Sequence, residues 1–256
     1  MKFKNLNIKK AFFTLGFAIT LTGCTNTTNI SEESSLVIEE IQQNNEPIQT
    51  NDTCSELNEL LVNEIVIDPT LEYPENSYTT VNLNLRDSDS LESNVITVID
   101  KCQKVAEIMN FGEWSYVKYN DISGYVYNDY LKPLPEDYIE VDISDQNIKY
   151  HVGEDIILDS DVVTGKQNVS DTRIGMFEIY SRETSRKLNG VGYSTYVDYW
   201  MPFDGGIGLH DASWRSEFGG DIYIHSGSHG CVNLPFEIAK TIYENSKVGT
   251  KVLVHQ

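Results

Sequence analysis

The stretch HDASWRSEFGGDIYIHSGSHGCVN, residues 210–233, is the part of the chain from which fold and chemistry are both inferred. It contains three of the five histidines in the chain, together with Cys231. A thiol is a weak nucleophile until a neighbouring base removes its proton, and an imidazole does this near neutral pH. Gly230 permits a tight turn before the cysteine, and the backbone N–H groups of such a turn stabilise an oxyanion. The stretch therefore predicts a cysteine-dependent acyl-transfer site with a thiolate–imidazolium pair.

The same stretch holds residue types that also bind zinc, namely His210, His225, His229 and Cys231. Only one residue separates His229 from Cys231, so both would have to coordinate the metal from a very tight turn. A buried structural cysteine among scattered histidines is a further alternative. We favour the acyl-transfer interpretation, for which no metal and no cofactor is expected.

Residues 138–256, which include this stretch, have a β pattern. The segments YIEVDIS, NIKYHVG and DIILDSDVVTG alternate apolar and polar residues between turns, which predicts a meander. His151 and His255 fall in predicted strands and are expected to be structural. One helix is expected after Pro235, because PFEIAKTIYENS carries apolar residues at helical spacing and Gly249 lies beyond its end. The predicted fold class is all-β with one or two short helices.

Residues 77–135 form a second region of short predicted strands. Apolar residues spaced by two, such as Leu83 and Leu85, indicate strands, and their close spacing suggests a small barrel. VNLNLRDSDS resembles the opening arm and EWSYVKYNDISGYVYNDYL the closing hairpin of bacterial SH3-like domains. That resemblance implies binding to the cell wall, and the alternative is a spacer without a ligand. Cys102 is expected to be buried as a small apolar residue, with a disulfide to Cys54 as the alternative.

Residues 1–23 have the features of a signal peptide, with four lysines followed by an apolar run. The run ends in Leu-Thr-Gly before Cys24 and resembles a bacterial lipobox, which implies lipid attachment at Cys24. The alternative is an ordinary signal peptide with an incidental cysteine. Residues 24–76 are rich in acidic and small polar side chains and are expected to be a flexible tether. This organisation predicts an extracytoplasmic protein, anchored by lipid to the outer leaflet of the bacterial cell membrane and facing the cell wall.

The composition of the 256 residues excludes several classes of protein. Hydrophobic residues make up 40% of the chain and charged residues 23%, which supports a packed core. A net charge of −20, from 19 basic and 39 acidic residues, is repelled by phosphate backbones, so nucleic-acid binding is not expected. Four cysteines without a CxxC pair indicate neither a disulfide scaffold nor a zinc knuckle.

The strongest resemblance is to the YkuD-type L,D-transpeptidases. Their signature is similar to His210, a gap of 17 residues, and then SHGCVN at residues 228–233. The segment DYWMPFDGGIGLHDASWRSEFGG also resembles the segment around their catalytic histidine. The resemblance covers roughly residues 138–256 and implies a β-sandwich catalytic domain that acts on peptidoglycan stem peptides.

Carried over by position, the resemblance makes Cys231 the nucleophile and His210 its general base, with the Asp211 carbonyl orienting the imidazole. Three further motif residues are assigned to the catalytic site: Ser228, His229 and Gly230. Three residues are assigned to substrate contacts: Trp214, Arg215 and Asn233. Thr164-Gly165 and residues 173–175 resemble the segments that flank the substrate cleft.

The implied reaction passes through a thioester. Cys231 attacks the carbonyl between the third stem residue, a diamino acid, and the fourth, D-Ala, which leaves. An amine of a neighbouring stem then resolves the thioester and forms a 3→3 cross-link. Water in place of the amine would make the same site an L,D-carboxypeptidase or endopeptidase, and a degenerate site would leave a non-catalytic cell-wall-binding lipoprotein. Carbapenem-type β-lactams are expected to be covalent inhibitors.

Overall fold

The computed structural model describes residues 72–190 and 193–256, which belong to one compact unit, Thr70–Gln256. The predicted signal peptide, Cys24, Cys54 and all but the last residues of the predicted tether lie outside the described residues. Within the described part of the chain, no helix is long and apolar enough to cross a membrane.

The first β-rich region is a seven-stranded antiparallel sheet of short strands, as the alternating pattern predicts. Its elements are β1 (Ser77–Thr79), β2 (Leu83–Arg86), β3 (Val95–Ile99), β4 (Lys104–Asn110), β5 (Trp114–Tyr119), β6 (Ile122–Tyr127), a 3-10 turn (Asn128–Tyr130) and β7 (Leu131–Pro133). The spatial order is β3-β2-β6-β5-β4-β1-β7, around a core that includes Leu85, Ile99 and Val117. The Asn76 N–H donates to the Val105 carbonyl at 3.1 Å, so the end of the predicted tether is attached to this sheet. The SH3-like assignment stays a prediction.

The second β-rich region contains two sheets. Its strands are β8 (Asp137–Asp142), β9 (Asn147–Val152), β10 (Asp155–Asp161), β11 (Gly175–Glu178), β12 (Glu183–Gly190), β13 (Tyr193–Asp204), β14 (Ile207–Asp211), β15 (Val232–Leu234) and β16 (Lys251–His255). One sheet has the order β10-β9-β8-β16-β11 and the other β12-β13-β14-β15. Ile139, Leu209 and Val254 are fully buried in one hydrophobic core to which both sheets contribute. This arrangement confirms the predicted β-sandwich.

Two helices complete this region, α1 (Ile222–Ser226) and α2 (Phe236–Asn245). The longer helix α2 begins directly after Pro235, as predicted, and buries Ala239 and Ile242 in the core. Gly249, beyond its end, has a φ of +93°, which glycine adopts without strain. The fold class predicted from the sequence is therefore confirmed.

A buried carboxylate, Glu140 on β8, connects the two β-rich regions. Its side chain accepts from three donors on three different strands. The Lys104 ammonium, on β4 of the first region, lies 2.9 Å from Oε1. His255 Nε2 lies 2.9 Å from the same oxygen, and His151 Nε2 lies 2.7 Å from Oε2. Both histidines are structural, as the sequence predicts.

The charges at this junction depend on one another. Burial would raise the pKa of Glu140, but hydrogen bonds from His151 and His255 outweigh it and hold this pKa well below its usual range. Burial would lower the pKa of His255, but Glu140 and Asp142 outweigh it and raise this pKa. The stabilisation from Glu140 is therefore present above the usual carboxyl range and is lost as the pH falls through the lowered pKa. The stabilisation from His255 is present below the usual histidine range and is lost as the pH rises through the raised pKa of His255.

Glu140→Gln is expected to lower the free energy of unfolding by about 3 kcal/mol, because His151 and His255 would lose their carboxylate partner and Lys104 would keep only the more exposed Glu75. Urea unfolding of the full chain at neutral pH measures this loss. Glu178→Gln is the matched control, since Glu178 pairs with Lys251 at 2.8 Å on the surface and its loss is expected to cost less than about 1 kcal/mol. Equal losses in the two variants would contradict the role given to the buried carboxylate.

Candidate active site

Two parallel strands carry the predicted base and the residues that follow the predicted nucleophile. His210 on β14 is aligned with Asn233 on β15. Cys231 directly precedes β15 and is two residues before Asn233. The Cys231 Sγ lies 3.8 Å from the Gly206 carbonyl oxygen, directly before β14. The thiol is therefore placed at the start of the strand that carries the base.

The turn that carries the thiol is closed by Ser228. Its Oγ accepts the Gly230 N–H at 3.0 Å and donates to the Cys231 carbonyl. Gly230 has a φ of +113°, a conformation that side chains rarely allow. The Thr172 hydroxyl donates to the Gly230 carbonyl at 2.8 Å. The turn is thus held by hydrogen bonds from Ser228, which belongs to it, and from Thr172, which belongs to a separate loop.

A second loop approaches this turn closely. The Ser228 N–H donates to the Thr164 carbonyl at 2.9 Å, and the Ser228 carbonyl accepts from the Lys166 N–H at 2.9 Å. A Cβ atom at Gly165 would lie 2.1 Å from the Ser170 carbonyl oxygen, so only glycine fits there. The structure therefore places the Thr164-Gly165 pair, which was expected to flank the cleft, directly against the nucleophile turn.

A chain of hydrogen bonds fixes the His210 ring in one tautomer. The Asp211 backbone carbonyl only accepts, so Nδ1, at 2.8 Å from it, carries the ring proton. The Arg215 Nε only donates, so the Asn233 atom that faces it at 2.8 Å is Oδ1. The Asn233 amide nitrogen then faces Nε2 of the ring at 3.1 Å and donates to it. Nε2 is therefore the unprotonated nitrogen, as a general base requires.

Both side chains of the predicted pair are neutral at rest. Burial lowers the pKa of His210, and the hydrogen bond to the Asp211 carbonyl offsets this only in part. Burial raises the pKa of the Cys231 thiol, although a backbone hydrogen bond from Gly208 acts in the opposite direction. At neutral pH the thiol keeps its proton and the imidazole stays uncharged. This differs from the thiolate–imidazolium pair expected from the sequence, because burial disfavours both charges.

The residues predicted to contact substrate divide into two groups. Asn233 is buried, and Arg215 donates both to it and to the Ser226 carbonyl, the latter at 2.8 Å. Both therefore support His210, and the substrate contacts expected of them from the sequence stay predictions. Trp214 is 50% exposed, with its ring centroid 5.9 Å from that of His210. Its indole is the one of the three that is open to a ligand beside the base.

The four residues of the zinc alternative are not arranged around a common point. His225 is exposed on α1 and His229 is exposed on the nucleophile turn, whereas both ring nitrogens of His210 are hydrogen bonded within the protein. Across residues 72–190 and 193–256, no group of three or more His, Cys, Asp or Glu side chains is arranged to hold a metal ion.

Sequence reasoning missed two contributors to the site. The glycine-rich run before His210 places the Gly206 carbonyl and the Gly208 backbone beside the thiol. The repeated glycines DGGIG were a signal of close backbone approach that was available in the sequence. Thr172 gave no such signal, because it reaches the Gly230 carbonyl from a loop distant in the chain.

Because the pKa of the Cys231 thiol is raised, its alkylation by iodoacetamide is expected to be slow at neutral pH. The alkylation rate of Cys231 should rise only at a higher pH than the alkylation rate of free cysteine, which serves as the reference. Mass spectrometry of the Cys231 peptide from the full chain, alkylated over the neutral and alkaline range, measures this rate. Fast alkylation at neutral pH that disappears in His210→Gln would reveal a resting ion pair and contradict the neutral state.

Comparisons with known proteins identify the family. Residues 136–254 match the family model described as the L,D-transpeptidase catalytic domain, YkuD. The catalytic domain of an E. faecium L,D-transpeptidase, solved by NMR, is 37% identical over 48% of this chain and 98% of that one, with a TM-score of 0.44. An E. faecium catalytic domain acylated by ertapenem is 38% identical over the same shares, 48% and 98%, with a TM-score of 0.44.

A further solved structure, the Ldtfm–avibactam carbamoyl enzyme, is 27% identical over 70% of this chain and 75% of that one, with a TM-score of 0.48. No curated protein sequence matches the chain. Through residues 136–254, the chain belongs to the L,D-transpeptidase family whose catalytic domain is named YkuD.

Proposed function

We propose that this chain is a peptidoglycan L,D-transpeptidase that forms 3→3 cross-links through a thioester on Cys231. The observation that carries this proposal is the His210 ring, whose unprotonated Nε2 lies 3.1 Å from the amide nitrogen of Asn233, two residues beyond Cys231. Membership of the family supplies the class of reaction. The role of each residue follows from the contacts around the thiol and the ring.

The first step is proton transfer from the thiol to the imidazole as the sulfur attacks. The sulfur bonds to the carbonyl carbon between the third stem residue and D-Ala, and His210 Nε2 takes the thiol proton. For this, Nε2 exchanges its hydrogen bond from the Asn233 amide for the proton of Cys231. The imidazolium keeps the Nδ1–H bond to the Asp211 carbonyl, and the nearby Asp211 charge favours it. The positive charge on His210 therefore exists only between the uptake of the thiol proton and its transfer to the leaving amine.

The carbonyl oxygen becomes negative as the sulfur bonds. The N–H groups of Gly230 and Cys231 are the candidates for stabilising it, and that of Gly230 donates to Ser228 Oγ. The Cys231 N–H is the remaining donor of the pair. Because the turn is fixed by Ser228 and Thr172, this N–H is oriented before the substrate arrives, which is the condition for effective transition-state stabilisation.

The intermediate then collapses toward the thioester. The amine of D-Ala takes the proton from the imidazolium, the C–N bond breaks and D-Ala leaves. In the second half-reaction the acceptor amine attacks the thioester carbonyl, and His210 takes a proton from that amine. The C–S bond breaks and the sulfur recovers the proton from His210. A base with a lowered pKa releases its proton readily in both halves.

The same thiol accounts for the expected inhibition by β-lactams. The E. faecium catalytic domain that is 38% identical to this chain was solved acylated by ertapenem. We expect ertapenem to acylate Cys231, with opening of the lactam ring in place of release of D-Ala.

The proposed setting is the cell wall outside the membrane. The lipobox-like sequence at Cys24, the acidic composition of residues 24–76 and the SH3-like pattern of residues 77–135 support this location. A lipid on Cys24 would hold the chain at the outer leaflet. A flexible tether of about 50 residues would have an end-to-end distance on the order of 40 Å, which lets the folded unit reach beyond the membrane surface.

Incubation of the full chain with purified disaccharide-tetrapeptide tests the proposed reaction by mass spectrometry. We expect free D-Ala and a dimer that is lighter than two substrate molecules by one molecule of D-Ala. Cys231→Ala should give neither product, because no thioester forms. Lys132→Gln, at an exposed position on β7, is the control and should react like the wild type.

Two outcomes would change the proposal. Tripeptide without dimer would mean that water resolves the thioester and that the chain is an L,D-carboxypeptidase. Unchanged turnover by Cys231→Ala would remove the assignment of the nucleophile.

A further inference from the structure

A cavity of about 610 Å³ lies where the two β-rich regions meet. Its lining includes Tyr78 and Lys101 from the first region, and Arg173, Met176 and Asp204 from the second. A volume of this size is in the range of pockets that hold small ligands or short peptide segments. The cavity therefore has room for part of a substrate and is built by both regions.

Two residues that line this cavity are close along the chain to residues that contact the nucleophile turn or the thiol. Asp204 is two residues before Gly206, whose carbonyl lies 3.8 Å from the Cys231 Sγ. Arg173 follows Thr172, whose hydroxyl supports the nucleophile turn. Arg173 and Asp204 are joined to each other by a two-pronged ion pair. The cavity therefore lies on the side of the site where Thr172 and Gly206 approach Cys231, within reach of a ligand that reacts there.

The cavity carries an unbalanced positive charge in a strongly acidic chain, whose net charge is −20. The guanidinium of Arg173 is balanced by Asp204. Lys101 is exposed, and none of the carboxylates in the described residues pairs with its ammonium. An unpaired ammonium beside a peptide-sized cavity suits a carboxylate.

Lys101 lies on a turn that is fixed by a backbone hydrogen bond and by the burial of the next residue. Its backbone N–H donates to Asn82 Oδ1 at 2.9 Å. The next residue, Cys102, is 1% exposed and packs against Tyr138 and Leu253 of the second region. The position of Lys101 relative to the catalytic region is therefore set by buried packing between the two regions.

We propose that this cavity is a subsite for a stem-peptide carboxylate and that Lys101 binds that carboxylate. The inference rests on the proposed function, since the carboxylate belongs to a substrate that reacts at Cys231. A tetrapeptide stem carries such a group on its terminal D-Ala, and both the donor stem and the acceptor stem present one. Lys101 then makes the first β-rich region part of substrate recognition.

Binding to the Cys231→Ala form of the full chain tests the subsite without turnover. The probes are disaccharide-tetrapeptide and the same compound with its terminal carboxyl amidated. Lys101→Gln in this background is expected to raise the Kd of the acid about threefold and to leave the Kd of the amide unchanged. Lys132→Gln is the matched control, exposed on β7, and should leave both values unchanged. An equal Kd with and without Lys101, or no measurable binding of the tetrapeptide, would overturn the proposal.

Turnover by the chain with Cys231 intact distinguishes the two stems. Slower single-turnover release of D-Ala in Lys101→Gln, without acceptor, assigns the carboxylate to the donor stem. A loss confined to dimer formation at limiting acceptor assigns it to the acceptor stem.

The two proposals fail differently. If the wild type releases no D-Ala while binding still depends on Lys101, the proposed function fails and the subsite stands. If the wild type forms the dimer and Lys101→Gln binds the acid as tightly as its parent, the subsite fails and the proposed function stands.

Discussion

One directional chain of hydrogen bonds, from Arg215 through Asn233 and His210 to the Asp211 carbonyl, sets the chemistry of the site. The guanidinium at one end only donates and the carbonyl at the other only accepts, so no group between them can reverse without losing a bond. The ring is thereby held with Nε2 free of a proton. The parallel pairing of β14 with β15 aligns His210 with Asn233, two residues beyond Cys231, and Ser228 closes the turn that carries Cys231.

Burial has opposite consequences at the two ionisable clusters of the molecule. At the junction of the regions, Glu140 is buried together with Lys104 and His255, and their pairing lowers the pKa of Glu140 and raises the pKa of both partners. At the active site, burial outweighs the nearby Asp211 charge and lowers the pKa of His210, and it raises the pKa of the Cys231 thiol. The first arrangement stabilises the contact between regions. The second keeps the reactants uncharged until substrate binds.

The β fold could be predicted from the sequence, and the candidate nucleophile and base could be named from it, because both depend on local patterns. Alternation of apolar residues indicates strands, and a histidine and glycine beside Cys231 indicate a presented thiol. The support given by Asn233 and Arg215 could not be predicted, since it requires the register between β14 and β15. The neutral resting state depends on burial, and the position of Lys101 depends on packing between two regions. Neither the burial of the active-site side chains nor the packing between the two regions can be inferred from a local pattern in the sequence.

Nitrogen-15 NMR of the full chain, labelled in its histidine rings, tests the neutral, single-tautomer state of His210 most directly. The His210 signals can be assigned by their absence in His210→Gln. At neutral pH we expect one protonated ring nitrogen, Nδ1, and one unprotonated nitrogen, Nε2. Protonation of both nitrogens at neutral pH, or a proton on Nε2 alone, would contradict the hydrogen-bond chain as the basis of the site.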